Sequence, residues 1–274
     1  MSQRVTSPED VGRFYDQFTR FFEITWGDSI HVGYWPAGSQ EGTIAEAQVR
    51  FTELMMSKLG VRAGEHLLDV GCGTGEPAVR LARTRSCQVT GVTISPKQAE
   101  AANQRAHDAG LSERVRFHRA NAMALPFPDA SFDVAWALES IFHMFDTGLA
   151  LSELRRTLKP GGRALIADFI VAVPMSPEDE QFHREMMQTG PMHSVPDYQR
   201  LIREAGFELE ETLDITANMM RTAVLTREAL TSKREELRQA FGNELLGMLD
   251  ATWAKASDLG QKHQGYAVFL VRKP

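Results

Sequence analysis

An α/β fold is predicted here: a doubly wound, mostly parallel sheet of about seven strands with a helical cap, and three observations predict it. Between residues 66 and 170, short apolar runs alternate with amphipathic stretches of helical length, the pattern of successive βαβ units. The stretch His66-Leu67-Leu68-Asp69-Val70-Gly71-Cys72-Gly73-Thr74-Gly75-Glu76-Pro77 reads as a buried strand ending on a carboxylate, then a glycine turn, then a helix start. From Pro174 the rhythm breaks into Met-rich and long helical material before a closing strand.

Taken in order, Ser7-Pro8-Glu9-Asp10 opens the first helix with a capping hydroxyl, a proline and first-turn acids. Val11, Phe14, Tyr15, Phe18 and Phe21/Phe22 follow at helical spacing. The segment Trp26 to Pro36 is irregular and aromatic, suited to filling a core edge or to walling a ligand site. Thr43-Ile44-Ala45-Glu46 is a capping box that begins a helix running to Gly60. After the glycine turn come a strand at 88–93, a helix at 95–109 and strands at 115–118 and 132–138. A helix at 147–158 and a strand at 163–170 complete this part, with Pro160-Gly161-Gly162 as the turn between them. Residues 175–192 are Met-rich and broken by prolines and glycine; such methionines adapt to irregular ligands or simply fill a core. A helix at 195–205 and a strand at 207–216 resume the alternation, 226–253 is mostly helical, and 265–273 is the last strand. The organisation is then a covering segment at 1–42, a ligand-binding core at 43–173, and a C-terminal part whose insertions at 174–194 and 217–258 form the cap. No internal repeat is present.

The bulk properties exclude several classes. The 274 residues carry a net charge of −6, which argues against a nucleic-acid surface. The first residues, Met1 to Asp10, hold no apolar leader core, and the longest apolar run, 164–173, is too short for a bilayer and contains Asp168. Two cysteines make no disulfide framework, so a reduced, cytoplasmic setting is expected. No His, Cys or carboxylate spacing suggests a metal site, and His183 and His193 read as surface or lid residues.

The glycine turn cradles a nucleotide, because glycines permit positive φ and let a ligand approach the main chain. A dinucleotide fingerprint needs a third glycine where Glu76 stands and an acid after the second strand, where Thr93-Ile94-Ser95 stands instead. Asp69 at the strand end repels a pyrophosphate and suits a cationic ligand.

Asp69-Val70-Gly71-Cys72-Gly73-Thr74-Gly75 resembles the first motif of the class I S-adenosylmethionine-dependent methyltransferases. Asn121-Ala122-Met123 with Leu125 to Asp133 resembles that family's adenine loop, and Leu154 to Gly162 the approach to its fifth strand. Within the family, the chain is similar to bacterial natural-product enzymes such as the rebeccamycin-type sugar O-methyltransferases. The resemblance implies a Rossmann-like sheet with an antiparallel last strand and S-adenosyl-L-methionine as cofactor. Gly71, Gly73 and Gly75 would lie against its methionine and ribose parts and Asp69 near the amino end. Thr93 replaces the usual ribose-binding acid, so Ile94 and Gln98 would contribute; Gln98 also completes a capping box with Ser95. Asn121 replaces the usual adenine-loop Asp and keeps a carbonyl acceptor, with Ala122 and Leu138 beside it. Tyr15, Trp26 and His31 match aromatic positions that close over the cofactor.

Methyl transfer demands alignment, exclusion of water and, for a hydroxyl acceptor, a base. The fourth strand leads into Glu139 and His143, and the fifth carries Asp168. In the sugar methyltransferases a His pair and an Asp hold these places; here Phe142 replaces the first His. The expectation is His143 as general base, or a satisfied core histidine, with Asp168 orienting it or binding the hydroxyl. Glu139 would be the base if carbon were methylated, or would hold cofactor or loop if oxygen were. The expected partner is a small, partly apolar acceptor, a secondary metabolite methylated on a hydroxyl, which a glycoside sugar could supply, or an isoprenoid or alkene methylated on carbon, with neither nucleic acid nor membrane; a homodimer is compatible with it, as is a catalytically silent cofactor-binding module.

Overall fold

The computed structural model describes residues 7–39 and 41–274, so Met1–Thr6, read above for a leader, lies outside the described residues. α1 (Pro8–Thr25) begins at a reciprocal capping box between Ser7 and Asp10, which satisfies amides that no helical carbonyl can reach. α2 (Ile44–Leu59) repeats the device with Thr43 and Glu46, and stops at Gly60, whose φ of +62° is left-handed. The expected alternation follows as β1 (His66–Val70), α3 (Glu76–Arg85), β2 (Gln88–Thr93), α4 (Pro96–Asp108), β3 (Val115–Arg119), β4 (Phe132–Leu138), α5 (Thr147–Thr157) and β5 (Leu158–Val171). A 3-10 turn, Ile141–His143, lies between β4 and α5. Beyond β5 come α6 (Pro177–Met187), α7 (Val195–Glu204), β6 (Glu208–Asp214), α8 (Thr216–Met219), α9 (Arg221–Ser232), α10 (Arg234–His263) and β7 (Gln264–Arg272).

The seven strands form one sheet in the order β3-β2-β1-β4-β5-β7-β6. β1 to β5 pair in parallel, and β7 runs antiparallel to both β5 and β6. Strand order departs in opposite directions from β1 and β4, so the switch point where such sheets bind ligands lies at the carboxyl ends of these two strands. Side chains alternate across the sheet. Leu67, Trp136 and Leu165 pack on one face with Phe51 and Met55 of α2 and Leu81 of α3. Leu68, Ala135 and Ile166 pack on the other with Leu151 and Leu154 of α5 and Tyr198 of α7. A third core joins Phe21, Phe22 and Ile24 of α1 to Leu237, Leu246 and Leu249 of α10.

Three expectations need correction. β5 starts at Leu158, not at 163: Leu158 pairs with Phe132 and Arg163 with Val134. Pro160-Gly161-Gly162 is an irregularity inside the strand, stitched to the C-terminus by Gly161 N–H to Lys273 and Lys273 N–H to Gly162, each at 2.8 Å. The segment after Pro174 contains a regular helix, α6, started by Pro177 behind the Ser176 cap. The last helical stretch reaches His263, ten residues beyond Trp253, and is broken at Gly242, whose φ is +76°.

Candidate active site

The three glycines of the turn after β1 do three different things. Gly71 (φ +80°) and Cys72 donate their N–H groups to the Val92 carbonyl at 2.8 and 2.9 Å, and a Cβ on Gly71 would lie 2.2 Å from that of Ser140. A Cβ on Gly75 (φ +80°) would strike Phe117 at 2.8 Å and Ala102 at 2.9 Å, so this glycine lets α3 and α4 close on the sheet. Only Gly73 (φ +53°) faces space: a Cβ there would meet nothing nearer than Ile30 at 4.0 Å.

That space belongs to a cavity at the switch point. Of the expected cofactor residues, Tyr15, His31, Asp69, Gly71, Gly73, Thr93, Ile94, Gln98, Asn121, Ala122 and Leu138 line it, and so do Glu139 and His143. Gly75 does not, for the packing reason given. Trp26 does not either: it lines a second cavity and donates its indole N–H to Thr226 at 2.8 Å. This second cavity runs under the cap, walled by Phe22, Phe142, Phe169, Met187, Met219 and Trp253. Tyr15, Ile30 and Glu139 line both cavities, which therefore meet at these three side chains.

Local bonding decides what each polar group can offer. Asp69 is buried at the end of β1, and burial pushes its carboxyl up to about 7. Thr93 donates to Gln98 Oε1 at 2.8 Å, and Gln98 Nε2 donates to Thr19 of α1 at 3.3 Å. The expected Ser95–Gln98 capping box is thus only half made. Ser95 Oγ accepts from Gln98 N–H at 3.0 Å, while the Gln98 side chain turns to Thr93 and α1 instead. Asn121 Oδ1, expected to receive an adenine amino group, already accepts from Met123 N–H at 3.0 Å. His31 lies against Phe51, with Nδ1 on the Val32 carbonyl at 2.9 Å and Nε2 on Thr52 at 3.2 Å.

His143 occupies the 3-10 turn after β4. Its Nδ1 lies 2.9 Å from the Gln188 carbonyl and its Nε2 lies 2.8 Å from the Tyr15 hydroxyl. A carbonyl only accepts, so Nδ1 carries the proton and Nε2 accepts from Tyr15. Burial lowers the ring's pKa to about 4 and raises that of Tyr15, so both are neutral near pH 7. Glu139, with φ +52°, turns its carboxylate so that Oε1 accepts from Val32 N–H at 2.9 Å and Tyr266 O–H at 3.0 Å. Burial, the largest cause, pushes its pKa up to about 8.

Asp168 does not meet His143, contrary to expectation. Its Oδ2 accepts from Tyr198 O–H and Phe142 N–H, each at 2.8 Å, and its Oδ1 from Phe169 N–H at 3.0 Å. Fully buried and on the wall of neither cavity, it anchors the Phe142 backbone. Its Tyr198 partner, the Tyr266 partner of Glu139 and the Gln188 carbonyl were all missed in the sequence. A lone tyrosine in the apolar β7 was a faint signal for Tyr266; a backbone carbonyl leaves none. His183, expected at the surface or in the lid, is not at the surface: it is buried on α6, within the 174–194 insertion, and lines the second cavity. Among the described residues no group of three or more His, Cys, Asp or Glu could hold a metal, and no helix is long and apolar enough to cross a membrane.

The first cavity fits S-adenosylmethionine on two observations: the open cradle over Gly73, and a buried carboxyl at Asp69 that a cationic amino group would ionise. Residues 68–166 match the family described as a methyltransferase domain. Over 267 residues the chain is 36% identical to (+)-O-methylkolavelool synthase of Herpetosiphon aurantiacus, covering 97% of this chain and 94% of the other. It is 37% identical to the 27-O-demethylrifamycin SV methyltransferase of Amycolatopsis mediterranei, covering 98% of each. Among solved structures, that of the [4+2]-cyclase SpnF superposes with a TM-score of 0.86 and 31% identity, covering 100% of this chain and 99% of that one. Likeness sustained over nearly the full length of two such relatives makes this chain a member of the class I S-adenosylmethionine-dependent methyltransferases, in their natural-product branch, with S-adenosylmethionine as its cofactor.

Proposed function

We propose that the protein methylates a hydroxyl group of a small, mostly apolar natural product. The observation that carries this reading is the junction of the two cavities at Tyr15, Ile30 and Glu139, with His143 bonded to Tyr15 from the cofactor side. The names of the two full-length relatives, which carry an O-methyl and an O-demethyl group, support oxygen as the target.

Bound in the first cavity, the cofactor supplies an electrophilic methyl carbon on a sulfonium. The chain's own residues have three tasks. Asp69, ionised, holds the cationic amino end, and the open backbone at Gly73 admits the methionine portion. Phe22, Trp26, Phe142 and Trp253 exclude water and leave the acceptor few orientations, which favours in-line displacement. Tyr15 and His143 take the proton: the acceptor's O–H donates to the Tyr15 oxygen while the Tyr15 proton passes to His143 Nε2. Tyr15 need not ionise, and the lowered His143 pKa keeps Nε2 free to accept across the neutral range. In this reading the carbonyl of Gln188, not Asp168, orients the base.

A second reading is favoured by one observation, the position of Glu139 on both cavities with its pKa raised to about 8. An alkene acceptor would be methylated on carbon and lose its proton to that carboxylate. Turnover of an acceptor panel with the cofactor's methyl carbon labelled separates the two, since O-methyl and C-methyl carbons resonate apart. Under the O-methyl reading, Tyr15→Phe and His143→Ala lower turnover by about 10²–10⁴-fold with cofactor affinity retained. Undiminished turnover in both variants would remove the pair from the mechanism.

A further inference from the structure

The second cavity has a polar corner that methyl transfer does not use. His183 of α6 lines it at 4% exposure, next to Gln264, the first residue of β7. Gln264 Nε2 spends its hydrogens on His183 Nε2 at 3.1 Å and on the sulfur of Met192 at 3.4 Å. An amide that donates to Nε2 makes that nitrogen the acceptor, so the neutral ring carries its proton on Nδ1. Burial keeps the ring neutral by lowering its pKa to about 4. No described residue accepts the Nδ1–H, which leaves it available to an acceptor atom of a ligand in this cavity.

Two further facts define what would meet it. Among the described residues no Lys or Arg lines this cavity, so a phosphate or carboxylate entering it would find no counter-charge. Gln264 and Tyr266 lie on one face of β7, two residues and about 7 Å apart. Tyr266 bonds Glu139 at the junction and Gln264 bonds His183, so one face of β7 supports both the reacting end and the polar corner.

We propose that the acceptor is uncharged and bears, besides the methylated hydroxyl, a second oxygen function of ketone or ether type that accepts the Nδ1–H of His183. A hydrocarbon body spans the aromatic wall between the two. This rests on the second cavity being the acceptor site.

The test is quenching of Trp26 and Trp253 fluorescence in the full chain saturated with S-adenosylhomocysteine. The probes are octanol, its (ω−1)-ketone 8-hydroxyoctan-2-one (the keto-alcohol) and 8-hydroxyoctanoate. The keto-alcohol is expected to bind about tenfold more tightly than octanol, and hydroxyoctanoate most weakly. In His183→Phe the keto-alcohol and octanol should bind alike, and His183→Gln, which restores an N–H donor, should recover part of the preference. Equal binding of keto-alcohol and octanol to the unaltered protein overturns the proposal, as does a preference that survives His183→Phe. Tightest binding by hydroxyoctanoate overturns the claim that the acceptor is uncharged. If no probe binds while S-adenosylhomocysteine does, the assignment of this cavity to the acceptor fails, and the proposal with it.

Discussion

At His143 the two ring nitrogens have separate duties. Nδ1–H is tied to the Gln188 carbonyl, which leaves Nε2 as the acceptor facing Tyr15. Gln188 caps α6 at φ +50°, a left-handed conformation easy for glycine and costly for a β-branched residue. Gln188→Gly should therefore keep kcat within about twofold, whereas Gln188→Val should lower it about tenfold or more with cofactor affinity unchanged. Nitrogen NMR of His143 should show the Nδ1–H tautomer in the first variant and its loss in the second; equal tautomers and rates would deny the carbonyl this role. Glu139 yields a pH prediction. Its folded pKa, about 8, is above its ordinary 4.5, so the folded state binds the extra proton and stability falls as pH rises through that window. Glu139→Gln removes the titration; its Tm should match the parent below about pH 4.5 and exceed it increasingly up to about pH 8. A constant gap would contradict the raised pKa. Asp69 and the glycines were legible as residues because each must sit where a chemical type is required. The partnership of Asp168 was not, because Tyr198 and Phe142 reach it from distant segments.

The glycine turn is the element on which the proposed cofactor site rests, and its members separate by experiment. Gly75→Ala forces a Cβ against Phe117 and Ala102, and should cost about 1–3 kcal/mol of stability from overpacking alone. Gly73→Ala meets open space at a smaller positive φ, and should cost about 1 kcal/mol while weakening S-adenosylmethionine binding by calorimetry. The reverse ranking would mean that Gly75, not Gly73, faces the cofactor. Strands β1 to β4 were readable because each is a short apolar run bounded by turn residues. The cap helix α6 was not: it buries His183 alone, so no apolar stripe marks it. Gly242 similarly cuts α10 where the hydrophobic pattern offers no warning.

Across the molecule, α1 and the cap share a core of their own, and that core closes both cavities. Phe21 is fully buried there against Phe22, Phe241 and Trp253. Phe21→Ala should cost about 3–5 kcal/mol and raise KM for the acceptor more than for the cofactor; a variant with both constants unchanged would show that the shared core does not shape the acceptor cavity. The sequence pattern supported an N-terminal cover and a C-terminal cap as separate regions, since no local signal reports that residues some two hundred positions apart pack together. Fold alone does not fix chemistry, and the similar SpnF structure is that of a [4+2]-cyclase, so the transfer itself must be observed. The most direct measurement is carbon NMR of the product formed from S-adenosylmethionine labelled at its methyl carbon, for the parent chain and His143→Ala. An O-methyl resonance from the parent, reduced at least a hundredfold in a variant that still binds cofactor, is the expected result. A C-methyl resonance, or an O-methyl signal of equal size from both proteins, would contradict it.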